Sequence, residues 1–169
     1  MLLKALQLVA TSSTPFQLEL DILGIGELAE DCASAAAEFT GSTRVQVLGA
    51  VPYGQPFFQL LRGYHAIVLP SISDEQPRIV YDAYSQGVPA LATKTAGLRD
   101  CVLDGRTGWL VEPNDALALS ELLRYAAHQI FELQRMGMEA LKVARTMTHQ
   151  RMHRERQRLL LELPSVSGA

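Results

Sequence analysis

Residues 69–93 read LPSISDEQPRIVYDAYSQGVPALAT. His65 to Leu69 form a short apolar run that stops at Pro70-Ser71, as a buried parallel strand does. A polar loop follows. Pro77 then suits the first position of a helix, where its missing N–H has no intrahelical partner to lose. Ile79, Val80, Ala83 and Tyr84 recur at helical spacing, and Gly87 supplies a C-terminal cap. Val88 to Thr93 reads as the next strand. The whole is a strand–loop–helix–strand crossover, and its loop lies at the carboxyl end of the sheet, where open α/β folds bind ligands. Asp74 sits in that loop and Asp82 on the helix, eight positions later.

Working outward, Met1 to Ala10 is apolar at helical spacing through Leu2, Leu6 and Val9. Lys4 interrupts it and no small-residue cleavage site follows, so an amphipathic helix is expected in place of a signal peptide. Thr11 to Pro15 is a polar break, and Leu18 to Leu23 reads as a strand. Gly24-Ile25-Gly26-Glu27-Leu28-Ala29 then opens a helix to about Phe39. As a G-x-G-x-x-A string it matches a dinucleotide fingerprint, but the strand Arg44 to Gly49 has no acid at its end for a ribose hydroxyl. A tight turn into a helix is the other reading. Gly49-Ala50-Val51-Pro52 ends that strand, and Gln55 to Tyr64 is a short helix.

Beyond the central crossover, Lys94 to Val102 holds a small-residue turn and a short helix. Gly108 to Val111 is the last strand. Asp115 is an N-cap for a helix from Ala116 to Phe131, with Leu119, Leu122, Leu123 and Ala126 facing inward. Strand and helix alternate throughout, which implies an α/β fold with a doubly wound, Rossmann-like parallel sheet of about five strands.

The 169 residues suffice for one domain with its own core. A net charge of −3 favours no nucleic-acid partner. Cys32 and Cys101 stand outside any CxxC spacing and read as thiols of a cytoplasmic protein. No apolar run reaches the ~20 residues that span a bilayer. From Leu141 onward six basic residues oppose Glu155 and Glu162. This basic helix is either a solvated face or a peripheral contact for acidic lipid. His149 and His153 lie one helical turn apart, but no third ligand is evident, so no metal site is expected. Residues 164–169 read as a tail after a domain of residues 1–163. The 48% hydrophobic content suggests a surface covered by another domain or by a second copy in a homodimer.

The central stretch resembles the donor-binding motif of retaining, nucleotide-sugar-dependent glycosyltransferases of the GT-B fold, the glycogen- and sucrose-synthase-like group. The residues that carry this are Pro70-Ser71, Asp74, Asp82-Ala83 and Gly87-Val88-Pro89. It continues through Ala96-Gly97, Asp100, Asp104-Gly105, Thr107-Gly108 and Pro113-Asn114-Asp115. In two places the chain departs from the family pattern. Both glutamates are shortened to aspartates, and Glu75-Gln76-Pro77 replaces Gly-Phe-Gly.

The resemblance implies the C-terminal half of a GT-B enzyme, with a nucleotide-diphosphate sugar as substrate and no metal or cofactor. Asp74 is then the residue at the transferred sugar, with Glu75 and Gln76 beside it. Asp82 takes the ribose, and the backbone N–H groups of Arg78 and Ile79 lie toward the phosphates. Gly26 lies on the phosphate side, and the Gly49–Val51 loop borders the nucleobase. Family members also carry an Arg and a Lys after a strand that precedes the first helix, and an N-terminal acceptor domain. The chain reads as a fragment lacking both, inactive alone. The rivals are a non-catalytic nucleotide-binding or interaction module of the same fold, and a nucleotide-sugar epimerase.

Overall fold

The computed structural model describes residues 1–12, 16–73, 78–147 and 149–162. Helix α1 (Leu2–Ala10) buries Ala5, Leu6 and Val9, a single stripe at helical spacing. Strand β1 (Leu18–Leu23) follows, then α2 (Ala29–Ala36), β2 (Thr43–Gly49) and α3 (Gln55–Leu61). The central crossover runs β3 (Ile67–Leu69), α4 (Ile79–Ser85) and β4 (Ala90–Thr93). After it come α5 (Ala96–Cys101), β5 (Gly108–Val111), α6 (Ala116–Ala127), α7 (Ile130–Thr146) and α8 (His149–Glu162).

Five strands are present among the described residues and every pairing is parallel, as the alternation of elements implies. They form two ladders, β1-β2 and β3-β4-β5, where one continuous sheet was expected. Helices cover both faces. On β4, Leu91 joins one core cluster with Leu6, Leu119 and Leu123, while Ala90 and Ala92 join another with Val80, Tyr84 and Leu98. The two-residue period of a strand thus divides the core between α1 and α6 on one side and α4 and α5 on the other.

Local signals end the helices. Gly87 has φ +76, its N–H reaches the Tyr84 carbonyl at 3.0 Å, and the Val88 N–H reaches Ala83 at 3.0 Å. This double closure at the end of α4 needs a left-handed residue, which glycine supplies without a Cβ penalty. Asp115 Oδ1 accepts from the Ala118 N–H at 2.8 Å and starts α6. The helix expected to reach Phe131 stops at Ala127, and Ile130 opens α7. That break lets α7 turn back onto α4. There Gly137 approaches so closely that an added methyl would lie 2.1 Å from the Gly87 carbonyl oxygen. Likewise α2 stops at Ala36 short of Phe39, and α3 at Leu61 short of Tyr64. The Pro77 helix start and the 163–169 tail lie outside the described residues.

Candidate functional site

Asp82 occupies the first turn of α4 and is partly buried, a position where the helix dipole favours a carboxylate. Its Oδ1 accepts a hydrogen bond from the Tyr53 hydroxyl at 3.1 Å. Tyr53 stands in the loop that leaves β2, four residues beyond Gly49, and is 66% exposed. Phe57 and Phe58 of α3 hold it from behind, with ring centroids 5.9 and 5.6 Å away. The bond therefore joins the loop leaving β2 to the helix that follows β3. Both lie beyond the carboxyl ends of parallel strands, the expected ligand edge of such a sheet.

The Tyr53 phenol is pushed above its ordinary range, first by its hydrogen bond to Asp82 and then by the charge of that carboxylate. Arg78 works in the opposite direction. Arg78 is exposed at the N-cap position of α4, and its carbonyl accepts the N–H groups of Tyr81 and Asp82 at 2.9 and 3.1 Å. Ile79 follows as the first helical residue, half-buried.

Gly49 closes β2 with φ +68, and its carbonyl accepts the Gly24 N–H at 2.9 Å, tying the ends of β1 and β2 together. Gly26 lies in the next turn, exposed, and its carbonyl accepts the Ala29 N–H at 2.9 Å. No described atom would lie within 4 Å of a methyl group added at Gly24, Gly26 or Gly49, so this rim is open. Val51, half-buried, bridges Gly49 to Tyr53 along the chain.

Asp74, Glu75 and Gln76 lie outside the described residues. The segment entering them is anchored by Thr93, fully buried, whose hydroxyl donates to the Ser71 carbonyl at 2.5 Å and lies 3.3 Å from that of Leu69. The structure therefore brings Asp82, Arg78, Gly49 and Val51 to one edge. Tyr53 belongs there too, although the sequence reading passed over it. The available signal was its place just after Val51-Pro52 in a strand-end loop. Among the described residues, no three His, Cys, Asp or Glu side chains come together as a metal site. Cys32 and Cys101 are free thiols. Among the described residues, no helix is long and apolar enough to cross a membrane.

These features define a Rossmann-like parallel α/β domain whose strand ends open onto a polar rim. The chain belongs to the glycosyl transferases group 1 family, whose model matches residues 1–129. A D-inositol 3-phosphate glycosyltransferase of Streptomyces avermitilis is 35% identical over 83 residues, covering 49% of this chain and 18% of that protein. Among solved structures, Anabaena HepE in complex with UDP-glucose superposes with a TM-score of 0.75 at 18% identity, covering 96% of this chain and 44% of that one. The catalytic domain of a Helicobacter pylori cholesterol-alpha-glucosyltransferase gives 0.70 at 23% identity, covering 87% of this chain and 88% of that one. These likenesses show the fold of a GT-B half. The chain spans between 14% and 29% of the curated relatives it matches.

Proposed function

We propose that this chain is the donor-binding domain of a glycosyltransferase that takes a sugar from a nucleotide diphosphate, in glycan or cell-envelope polysaccharide synthesis. The observation that carries the reading is the Tyr53–Asp82 junction at the carboxyl edge, within the stretch that bears the family's motif. A carboxylate accepts from both hydroxyls of a ribose at once, having about four acceptor sites. Tyr53 uses one of them and holds the group in place. Arg78 sets a cation beside it, and Asp74 is assigned to the transferred sugar, where charge and orientation matter most. Gly26, Gly49 and Val51 leave room for the nucleotide, and Glu75 and Gln76 are assigned to the donor with Asp74.

In this reading no metal or cofactor takes part, so binding persists in EDTA. The nucleotide sugar and the acceptor-binding half of the same enzyme are the partners, with self-association as a second use of exposed apolar residues such as Phe131. The free thiols Cys32 and Cys101 suit a reducing compartment and support a cytoplasmic location. The shortening of both motif acids to aspartate favours one alternative, a binding module that holds a nucleotide and transfers nothing.

Radiolabelled nucleotide sugars distinguish these readings. The purified 169-residue chain should bind a donor and transfer no sugar, and transfer should appear once an acceptor domain is supplied. Donor binding without transfer by the completed enzyme would leave the binding module. An absence of donor binding in the completed enzyme would reject both.

A further inference from the structure

Three Phe, Tyr or Trp residues are exposed among the described residues: Tyr53, Tyr125 and Phe131. Tyr125 lies in the last turn of α6, where its ring meets Trp109 near the start of β5 with centroids 5.2 Å apart. Phe131 opens α7 just past the end of that helix, so both lie toward the amino edge of the sheet. Tyr53, in the loop that leaves β2, is the one of the three at the carboxyl edge.

A single exposed apolar residue is ordinary on a protein surface. Tyr53 differs because it is held at both ends. Its hydroxyl is tied to Asp82 at 3.1 Å, and its ring rests on Phe57 and Phe58, with the Phe57 plane inclined by only 30°. The backbone is stiff on either side. Pro52 has its φ fixed by its own ring, Gly54 takes φ +118, and Pro56 stands in the first turn of α3. Both ring neighbours come from α3, so the side turned away from that helix carries the exposure. The space around the loop is open, since a methyl group added at Gly49 or Gly54 would meet nothing within 4 Å. Immobilising a side chain costs conformational entropy, and here little burial offsets it. A ring fixed in place with a free face is preorganised for a ligand with a face to match.

We propose that the Tyr53 ring is a stacking platform for the nucleobase of the donor. The inference rests on the donor-binding reading, in which Asp82 holds the ribose. A ribose gripped by its 2′ and 3′ hydroxyls carries the base at one end of the sugar ring and the phosphates at the other. The base is on the carbon next to the 2′ position. It therefore lies close to a group that shares the carboxylate with the ribose. Arg78, a cation, suits the phosphate end, and the Tyr53 phenol suits the base end. The phenol carries its ring away from Asp82 just as the sugar carries the base away from its hydroxyls. A stacked base is bound by its face, which uracil, guanine and adenine all possess. The contact thus supplies affinity without choosing the base.

The test compares Tyr53→Phe, which keeps the ring, with Tyr53→Leu, which replaces it by an aliphatic chain. Both lose the hydroxyl, so their difference isolates the ring, and both fall at an exposed position outside the core. UDP, GDP and ADP are titrated calorimetrically beside ribose 5-diphosphate, which has a hydroxyl in place of the base. Tyr53→Leu should bind the preferred nucleotide about fivefold or more weakly than Tyr53→Phe does. The two variants should bind ribose 5-diphosphate equally. At saturation, the fluorescence of 2-aminopurine riboside diphosphate should be quenched by the wild type and Tyr53→Phe, and not by Tyr53→Leu. Equal nucleotide affinities in the two variants, or an equal loss for ribose 5-diphosphate, would overturn the platform while leaving Asp82 on the ribose. Nucleotide binding by neither the chain nor the enzyme completed with an acceptor domain would reject the donor-binding reading, and the platform with it.

Discussion

The Tyr53 hydroxyl donates to the Asp82 carboxylate at 3.1 Å, joining residues 29 apart in sequence. The contact sets the orientation of the acid proposed to hold the ribose. Tyr53→Phe removes the donor and keeps the ring against Phe57 and Phe58. At so exposed a site water screens the bond, and its loss is small. Nucleoside diphosphate affinity should fall roughly fivefold, read by calorimetry. Unchanged affinity would mean that Asp82 is positioned without Tyr53.

Gly137 faces Gly87 where α7 crosses the end of α4. A methyl group there would lie 2.1 Å from the Gly87 carbonyl oxygen, closer than van der Waals contact allows. Gly137→Ala must push the helices apart, at a cost of about 1–3 kcal/mol. For a domain of this size the melting temperature should drop by about 2–12 °C. A variant that melts like the wild type would show that α7 is not held against α4.

Tyr84 is fully buried, and its hydroxyl lies 2.7 Å from that of Thr107. Burial pushes the phenol up from 10.0 to about 12, although the Thr107 hydrogen bond pulls the other way. The folded state therefore prefers the neutral form, and the unfolded chain ionises first. This contribution is complete below pH 10 and is lost as pH rises toward 12. The loss from Tyr84 is about 2–3 kcal/mol. Urea unfolding from pH 8 to 12 should show that decline, and Tyr84→Phe should flatten it while lowering stability near neutrality. An equal slope in both proteins would contradict the assignment.

Much of the fold was legible because its rules are local. Leu18–Leu23 was readable as a strand from its apolar–polar alternation and Gly108–Val111 from its apolar run, and Asp115 and Gly87 as caps from their residue types. The end of α6 was not, since nothing at His128-Gln129 breaks a helix in sequence and the break serves the return of α7. The split between β1 and β3 is equally non-local, as no residue in either strand announces what lies beside it. The site divides similarly. Asp82, Gly49 and Val51 were nominated through a motif, while Tyr53 had only its place in a strand-end loop as a signal and shows its partner through a contact across the fold. Asp74 was nominated by the same motif and lies outside the described residues.

The account turns on whether Asp82 touches the nucleotide. UDP, GDP and ADP, free and sugar-linked, should be titrated calorimetrically into the wild type, Asp82→Asn and Asp74→Asn. A charge-assisted hydrogen bond contributes roughly 1.5–3 kcal/mol, so Asp82→Asn should weaken the preferred nucleotide about tenfold or more, with or without its sugar. Asp74→Asn should weaken the sugar-linked form and spare the free nucleotide. Equal affinities for wild type and Asp82→Asn would contradict the account.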